Sequence, residues 1–141
     1  MARILVVDDE PRMRRVLEIA LREEGHDVTC AGDGLEGWEK FQEEAPHLVI
    51  TDVKMPGMSG MEFLEKIKGF SDDIPVIVMT AYGTVDSAVE AIKQGAYHYV
   101  IKPINMDEMK VMVDKALQFS TLLHENRALR ETAREAAFGQ I

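Results

Sequence analysis

The sequence predicts a doubly wound α/β fold, a five-stranded parallel sheet with helices on both faces and an extended C-terminal helix. Short apolar bursts recur at Ile4 to Val7, Val28 to Ala31, Leu48 to Thr51, Val76 to Thr80 and Tyr99 to Ile101, separated by stretches of helical period. The bursts are mostly continuous and rich in β-branched residues, as in strands buried on both faces. No Gly or Pro interrupts the chain between Asn105 and Gly139, far more than one sheet-packing helix needs. With 141 residues the chain suits a single domain that buries roughly two-thirds of its unfolded surface.

Each element follows from local signals. Ile4 to Val7 end at Asp8-Asp9, and Pro11 suits the first turn of a helix over 11–24, closed by Gly25. After the second strand a helix fits 34–44, followed by Pro46; after the third, 58–69, closed by Gly69; after the fourth, 84–94, closed by Gly95. Gly57 and Gly60 permit the turn that carries the chain away from Asp52, and Met55, Met58 and Met61 beside it read as packing. The last helix starts at Met106, and Met109, Met112, Val113 and Ala116 can cover the sheet. Beyond them a heptad places Phe119, Asn126 and Ala133 at a, with Leu122, Leu129 and Ala136 at d. Asn126 is then the polar a residue that fixes register in a parallel two-stranded coil, which makes a homodimer the expected assembly. An amphipathic helix lying on its own domain fits the same pattern. Arg127, Arg130 and Arg134 interleave with Glu125, Glu131 and Glu135, which describes a solvated surface and not a nucleic-acid stripe.

Composition excludes several functions. A formal charge of -9 argues against direct nucleic-acid binding, which rests on clustered Lys and Arg. The single cysteine, Cys30, offers neither a disulfide framework nor a zinc set and reads as a small buried hydrophobe. The start "MARILVVDD" has too few apolar residues for a signal region, and nothing approaches a membrane span, so the expected location is cytoplasmic.

Ligands of open parallel sheets bind beyond the carboxyl ends of the strands. Those ends read Asp8-Asp9, Asp52 in "VITD", Thr80 in "VMTA" and Lys102 in "YVIKP". Two adjacent carboxylates repel by about 4 kcal/mol at ~4 Å and an effective dielectric near 20. An aspartate pair before a helix is often an N-cap, and Thr80 or Lys102 alone would be unremarkable. Together, three carboxylates on one rim call for a hard cation such as Mg²⁺. A metal beside a free carboxylate, with Thr80 and Lys102 to receive oxygens, is equipment for moving a phosphoryl group onto a side chain. Asp52, alone at its strand end, is the best nucleophile.

With these residues in place, the sequence resembles the receiver domain of two-component response regulators. "VVDDE", "ITDVKMPGMSG", "VIVMTAYG" and "AYHYVIKPI" stand where that family has its acidic pair, phosphoacceptor, Ser/Thr and Lys-Pro. The resemblance implies a flavodoxin-like sheet of order 2-1-3-4-5, a receiver domain over 1–118 and a linker helix over 119–141. It implies phosphorylation of Asp52 by a sensor histidine kinase. Asp9 and Asp52 would ligate Mg²⁺ directly, Asp8 largely through water, and the Lys54 carbonyl would complete the protein ligands. Thr80 and Lys102 would contact the phosphoryl group, Tyr99 would be the aromatic switch, and Lys102-Pro103 a cis peptide. As such a domain the chain would be a phosphoacceptor that assists its own phosphorylation and dephosphorylation, not a conventional enzyme. Ile104 departs from the Phe of many members. The tail "LLHENRALRETAREAAFGQI" is similar to the linker ahead of the AAA+ ATPase in sigma-54-dependent, NtrC-like activators, which implies AAA+ and DNA-binding domains downstream in a full-length protein.

Three rival readings compete. Gly32, Gly34 and Gly37 in "AGDGLEG" match the GxGxxG of dinucleotide-binding enzymes, but Asp33 and Glu36 would meet the pyrophosphate with negative charge. A haloacid-dehalogenase-type phosphatase needs a carboxylate two residues after the nucleophile, where this chain has Lys54. A phosphorylation-independent dimerisation module normally lacks one of the active residues, and none is missing. Tyr82 and Lys54 would flank the acyl phosphate and gate attacking water.

Overall fold

A computed structural model describes residues 2–81 and 83–139, with side chains up to residue 122. The elements are β1 (Arg3–Val7), α1 (Pro11–Glu23), β2 (Asp27–Ala31), α2 (Gly34–Glu44), β3 (Leu48–Asp52), α3 (Gly60–Phe70), β4 (Val76–Thr80), α4 (Val85–Lys93), β5 (His98–Ile101) and α5 (Met106–Gly139). The strands form one sheet in the order β2-β1-β3-β4-β5, and every pair is parallel.

The two-residue period of a strand divides the core between the faces. Leu5, Val7, Val49, Val76 and Val78 point to one side and pack with Phe41 of α2, Phe63, Leu64 and Ile67 of α3 and Ala91 of α4. Ile4, Val6, Leu48, Ile50, Ile77 and Met79 point to the other and pack with Leu17 and Leu21 of α1 and Met109, Val113 and Ala116 of α5. β3 and β4 are buried along their whole length, which is why their sequences carry no polar alternation. Each such side chain contributes about 1.5–3 kcal/mol on leaving water.

Helix ends follow their caps more closely than the glycines. Ser59 accepts the Glu62 N–H at 3.2 Å, so α3 begins at Gly60 and not at 58. Gly69 does not close α3, because Phe70 packs edge-on against Phe41 (5.7 Å) and Trp38 (6.5 Å) and carries the last turn past it. Gly25 (φ 90°) and Gly95 (φ 103°) do follow α1 and α4 in the left-handed region that glycine tolerates.

The uninterrupted last helix is present, 34 residues long, which at about 1.5 Å per residue gives roughly 50 Å. The Ser120 hydroxyl donates to the Asp73 carbonyl at 3.1 Å and ties its middle to the domain. Phe119 lies against the Tyr97 ring at 5.5 Å yet remains 48% exposed, and Leu122 is 63% exposed. The Asn126 and Leu129 side chains of the expected coil fall outside the described residues. Cys30 is half-buried on β2 with its thiol 3.4 Å from the Glu18 carboxylate; burial first, then Glu18, pushes its pKa up to about 11. It is thus less buried than the small core hydrophobe expected, and its thiol has a polar partner.

Gly60 joins fold to site. Its N–H donates to the Val53 carbonyl at 2.8 Å, and a Cβ there would run into the carbonyl oxygen of Asp52. Gly60→Ala should therefore push α3 off the strand end and cost about 2–3 kcal/mol, the upper range for overpacking, seen as a lower urea midpoint. An unchanged midpoint would show that the close approach is absent in solution.

Candidate functional site

Parallel register brings the predicted residues to one edge. Val7 pairs with Thr51, Asp52 with Met79 and Thr80 with Ile101, so the next residue of each flanking strand stands beside its neighbour's end. Asp8 is fully buried, and each of its polar atoms has a partner. Its N–H donates to Ala31 O (3.1 Å), its carbonyl accepts from Arg14 Nη1 (2.7 Å), Oδ1 accepts from the Glu10 N–H (2.9 Å), and Oδ2 accepts from Lys102 Nζ (2.9 Å). Asp52, 7% exposed, accepts from the Lys54 N–H at 3.3 Å and from Lys102 Nζ at 2.9 Å. Asp9 stands exposed on the rim.

Lys102 thus bridges two carboxylates, with Glu10 Oε2 a further 4.0 Å from its ammonium. Burial works to lower its pKa, but the hydrogen bonds and charges of Asp8 and Asp52 outweigh it and hold Lys102 above the ordinary lysine value. Its N–H donates to the Thr80 carbonyl at 2.7 Å, and the Lys102-Pro103 peptide is cis, as the Lys-Pro resemblance implies. Thr80 is 3% exposed at the end of β4.

Asp8, Asp9 and Asp52 each present a carboxylate oxygen within 4.8 Å of the others. Three carboxylates against one ammonium leave two negative charges in a hard-oxygen cluster, which fits a divalent cation such as Mg²⁺. An open cleft of about 580 Å³ lies beside Asp9, walled by Lys54, Met55, Pro56 and Met61.

Tyr99 is half-buried on β5, and its hydroxyl lies 2.8 Å from Ser87 Oγ on α4. Ser87 also forms a capping box with Thr84. Sequence reasoning missed Ser87 and Arg14, which act through contacts made across the fold at positions that carry no motif, and gave Glu10 of "VVDDE" no role, because it acts through its backbone N–H. Tyr82 lies outside the described residues.

The glycine motif is not a nucleotide cradle. A Cβ at Gly34 would stand 2.6 Å from Met58, one at Gly37 3.0 Å from Val7 and one at Gly32 3.3 Å from Arg14, so this protein's own atoms fill the space. Asp33 already occupies the helix N-terminus by accepting the Glu36 N–H at 2.8 Å. Among the described residues no helix is long and apolar enough to cross a membrane.

Comparison with known proteins agrees with this geometry. The regulatory protein AtoC of Escherichia coli is 40% identical over 129 residues, 92% of this chain and 28% of AtoC. The transcriptional regulatory protein ZraR of Klebsiella oxytoca is 44% identical over 138 residues, 98% of this chain and 30% of ZraR. The chain therefore spans under a third of the length of these relatives. Among solved structures, the response regulator TrrA of Thermotoga maritima, in complex with Mg²⁺ and BeF, superposes with a TM-score of 0.75 at 41% identity, covering 82% of this chain and 99% of TrrA. The response regulator receiver domain profile matches residues 4–114, across all five strands and the acidic edge they build, and the chain belongs to that family.

Proposed function

We propose that this chain is a phosphoacceptor that controls a transcriptional output, with Asp52 taking a phosphoryl group from a sensor histidine kinase. The observation that carries it is the shared ammonium of Lys102, 2.9 Å from both Asp8 and Asp52, beside an exposed third carboxylate. Asp9, Asp52 and the Lys54 carbonyl would hold Mg²⁺, with Asp8 acting through water; the bound ion would neutralise phosphoryl oxygens during transfer. An Asp52 carboxylate oxygen attacks phosphorus, a P–O bond of the acyl phosphate forms, the P–N bond of the donor phosphohistidine breaks, and the imidazole departs with a proton. Lys102, already charged and aimed at Asp52 Oδ2, receives one phosphoryl oxygen, and Thr80 another. The Mg²⁺ and BeF bound by TrrA, BeF being a stand-in for a phosphoryl group, support this assignment.

Asp52→Asn keeps the shape and removes the nucleophile. Intact-mass analysis after treatment with acetyl phosphate and Mg²⁺ should show one added phosphate on the parent, none on Asp52→Asn and little on Asp9→Ala or in EDTA. A normally labelled Asp52→Asn sinks the assignment.

The phosphoryl group adds roughly -1.5 to -2 charge, which draws the Thr80 hydroxyl and frees space for the Tyr99 ring to turn. Tyr99 then releases Ser87, and the face of α4, β5 and α5 becomes the output. Thr80→Ala should accept phosphate yet show about half or less of the parent's amide shifts on that face with beryllofluoride. Shifts of parental size would refute the coupling.

The domain over 1–118 passes this change to the linker over 119–141, whose helical part would pair two chains through Phe119, Leu122, Asn126 and Leu129 in a cytoplasmic homodimer. Resemblance to NtrC-like, sigma-54-dependent activators supports AAA+ and DNA-binding domains as the downstream output. The intact chain should sediment as a dimer and Leu122→Asp/Leu129→Asp as a monomer; identical sedimentation of the two would dismiss the coil.

A further inference from the structure

We propose that Arg14 is a positioning residue for the acidic site: seated on the bare backbone of Gly32, its guanidinium holds the carbonyl of Asp8 and so fixes the carboxylates that would take Mg²⁺. This rests on the metal-dependent phosphoacceptor reading.

At Asp8 the chain leaves the sheet and bends toward α1. The Asp8 N–H still belongs to the sheet ladder, bonded to Ala31, but its carbonyl turns away at a fully buried position. A buried carbonyl needs a donor. Arg14 supplies one from the first turns of α1, with Nη1 at 2.7 Å. Asp8 has four anchors, and two of them, from Glu10 N–H and Lys102, use the carboxylate oxygens. Those two use the oxygens that a cation or phosphoryl group would approach. The Ala31 and Arg14 bonds hold residue 8 without its carboxylate, so they define where that carboxylate starts.

Gly32 explains why the guanidinium can lie there. The space a Gly32 Cβ would take is met by Arg14 Nη1 at 3.3 Å and Cζ at 3.8 Å, while the Gly32 N–H donates to Glu36 Oε2 at 3.4 Å. The first glycine of "AGDGLEG" is thus a floor for Arg14, not a phosphate contact. Charge alone opposes the proposal, since a guanidinium near the site repels a cation. The sign of the effect therefore decides between geometry and charge.

Mg²⁺ affinity is measured by amide shifts on the full chain, with metal-free amide exchange at Glu10 followed in EDTA. Arg14→Ala should weaken Mg²⁺ binding by about three- to tenfold, a fraction of the strength of one charge-assisted hydrogen bond. Arg14→Lys, which keeps charge but loses the planar fork, should recover part of it. Gly32→Ala keeps the arginine and displaces it by a few tenths of an ångström, so it should cost about twofold. In each variant the Glu10 amide, which donates to Asp8 Oδ1, should exchange faster while the Val6 amide does not. Variants that bind Mg²⁺ as tightly as the parent, or more tightly, with only a lower unfolding midpoint overturn the proposal. If Arg14→Ala does not fold, Arg14→Lys and Gly32→Ala carry the test. A parent that binds no Mg²⁺ would bring down the functional reading itself, whereas a normal parent with normal variants removes only the role of Arg14.

Discussion

One ammonium shared between two buried carboxylates organises the carboxyl edge. Asp8 and Asp52 sit at neighbouring strand ends, and Lys102 is 2.9 Å from each. Lys102 is separated from them by 94 and 50 residues, so the triad exists only when β1, β3 and β5 are ordered across the sheet. A buried ion pair of this kind adds little net stability, because desolvation offsets the attraction. Its value is poise. Lys102 neutralises one carboxylate, leaving a defined negative excess at Asp9 and Asp52 for a cation to use.

The rest of the domain holds that edge still. β1, β3 and β4 are covered on both faces, and the N-termini of α2 and α3 approach closely at glycines: no Cβ fits at Gly34 against Met58 or at Gly60 against Asp52, and one at Gly37 would crowd Val7. The Gly34 and Gly60 contacts leave the loop after Asp52 little room to shift, as close packing demands. Backbone donors from Glu10 and Lys54 then point at carboxylate oxygens. A site built from strand ends and main-chain N–H groups is stiffer than one built from long side chains, which suits precise positioning of a ligand.

Most of this was legible in the sequence because it is written in local periods. Unbroken β-branched runs announced buried strands, and strand-terminal Asp8, Asp9, Asp52, Thr80 and Lys102 announced the edge where chemistry gathers. α3 starts two residues later than its helical period suggests because Ser59 caps it, and ends one later because Phe70 packs against aromatic residues of α2 that no local pattern reveals. Arg14 and Ser87 were invisible for the same physical reason. Their partners, the Asp8 carbonyl and the Tyr99 hydroxyl, lie on other elements, and the identity of a main-chain acceptor leaves no mark in sequence. The GxGxxG match, set aside on the charges of Asp33 and Glu36, has another use here, because glycine serves any close approach, to protein as well as to phosphate.

Burial is uneven across the sheet, and the unevenness lies where a signal would leave. Ala91 is the only buried residue of α4; Val85, Val89 and Ile92 are 80%, 46% and 50% exposed, and Ile101 of β5 is 55% exposed. Elements with so few buried contacts occupy the low end of local stability, so in the proposed switch a change at Thr80 would displace them at the least cost. Ser87 sharpens this. Its hydroxyl has one proton and two lone pairs. It lies within hydrogen-bond distance of the Thr84 N–H (3.1 Å), the Thr84 hydroxyl (3.0 Å), the Thr84 carbonyl (3.1 Å) and the Tyr99 hydroxyl (2.8 Å). Four partners compete for three places, so the cap of α4 and the position of Tyr99 are not independent. Whatever draws Tyr99 away leaves the Thr84–Ser87 box fully paired, and whatever loosens the box frees Ser87 for Tyr99.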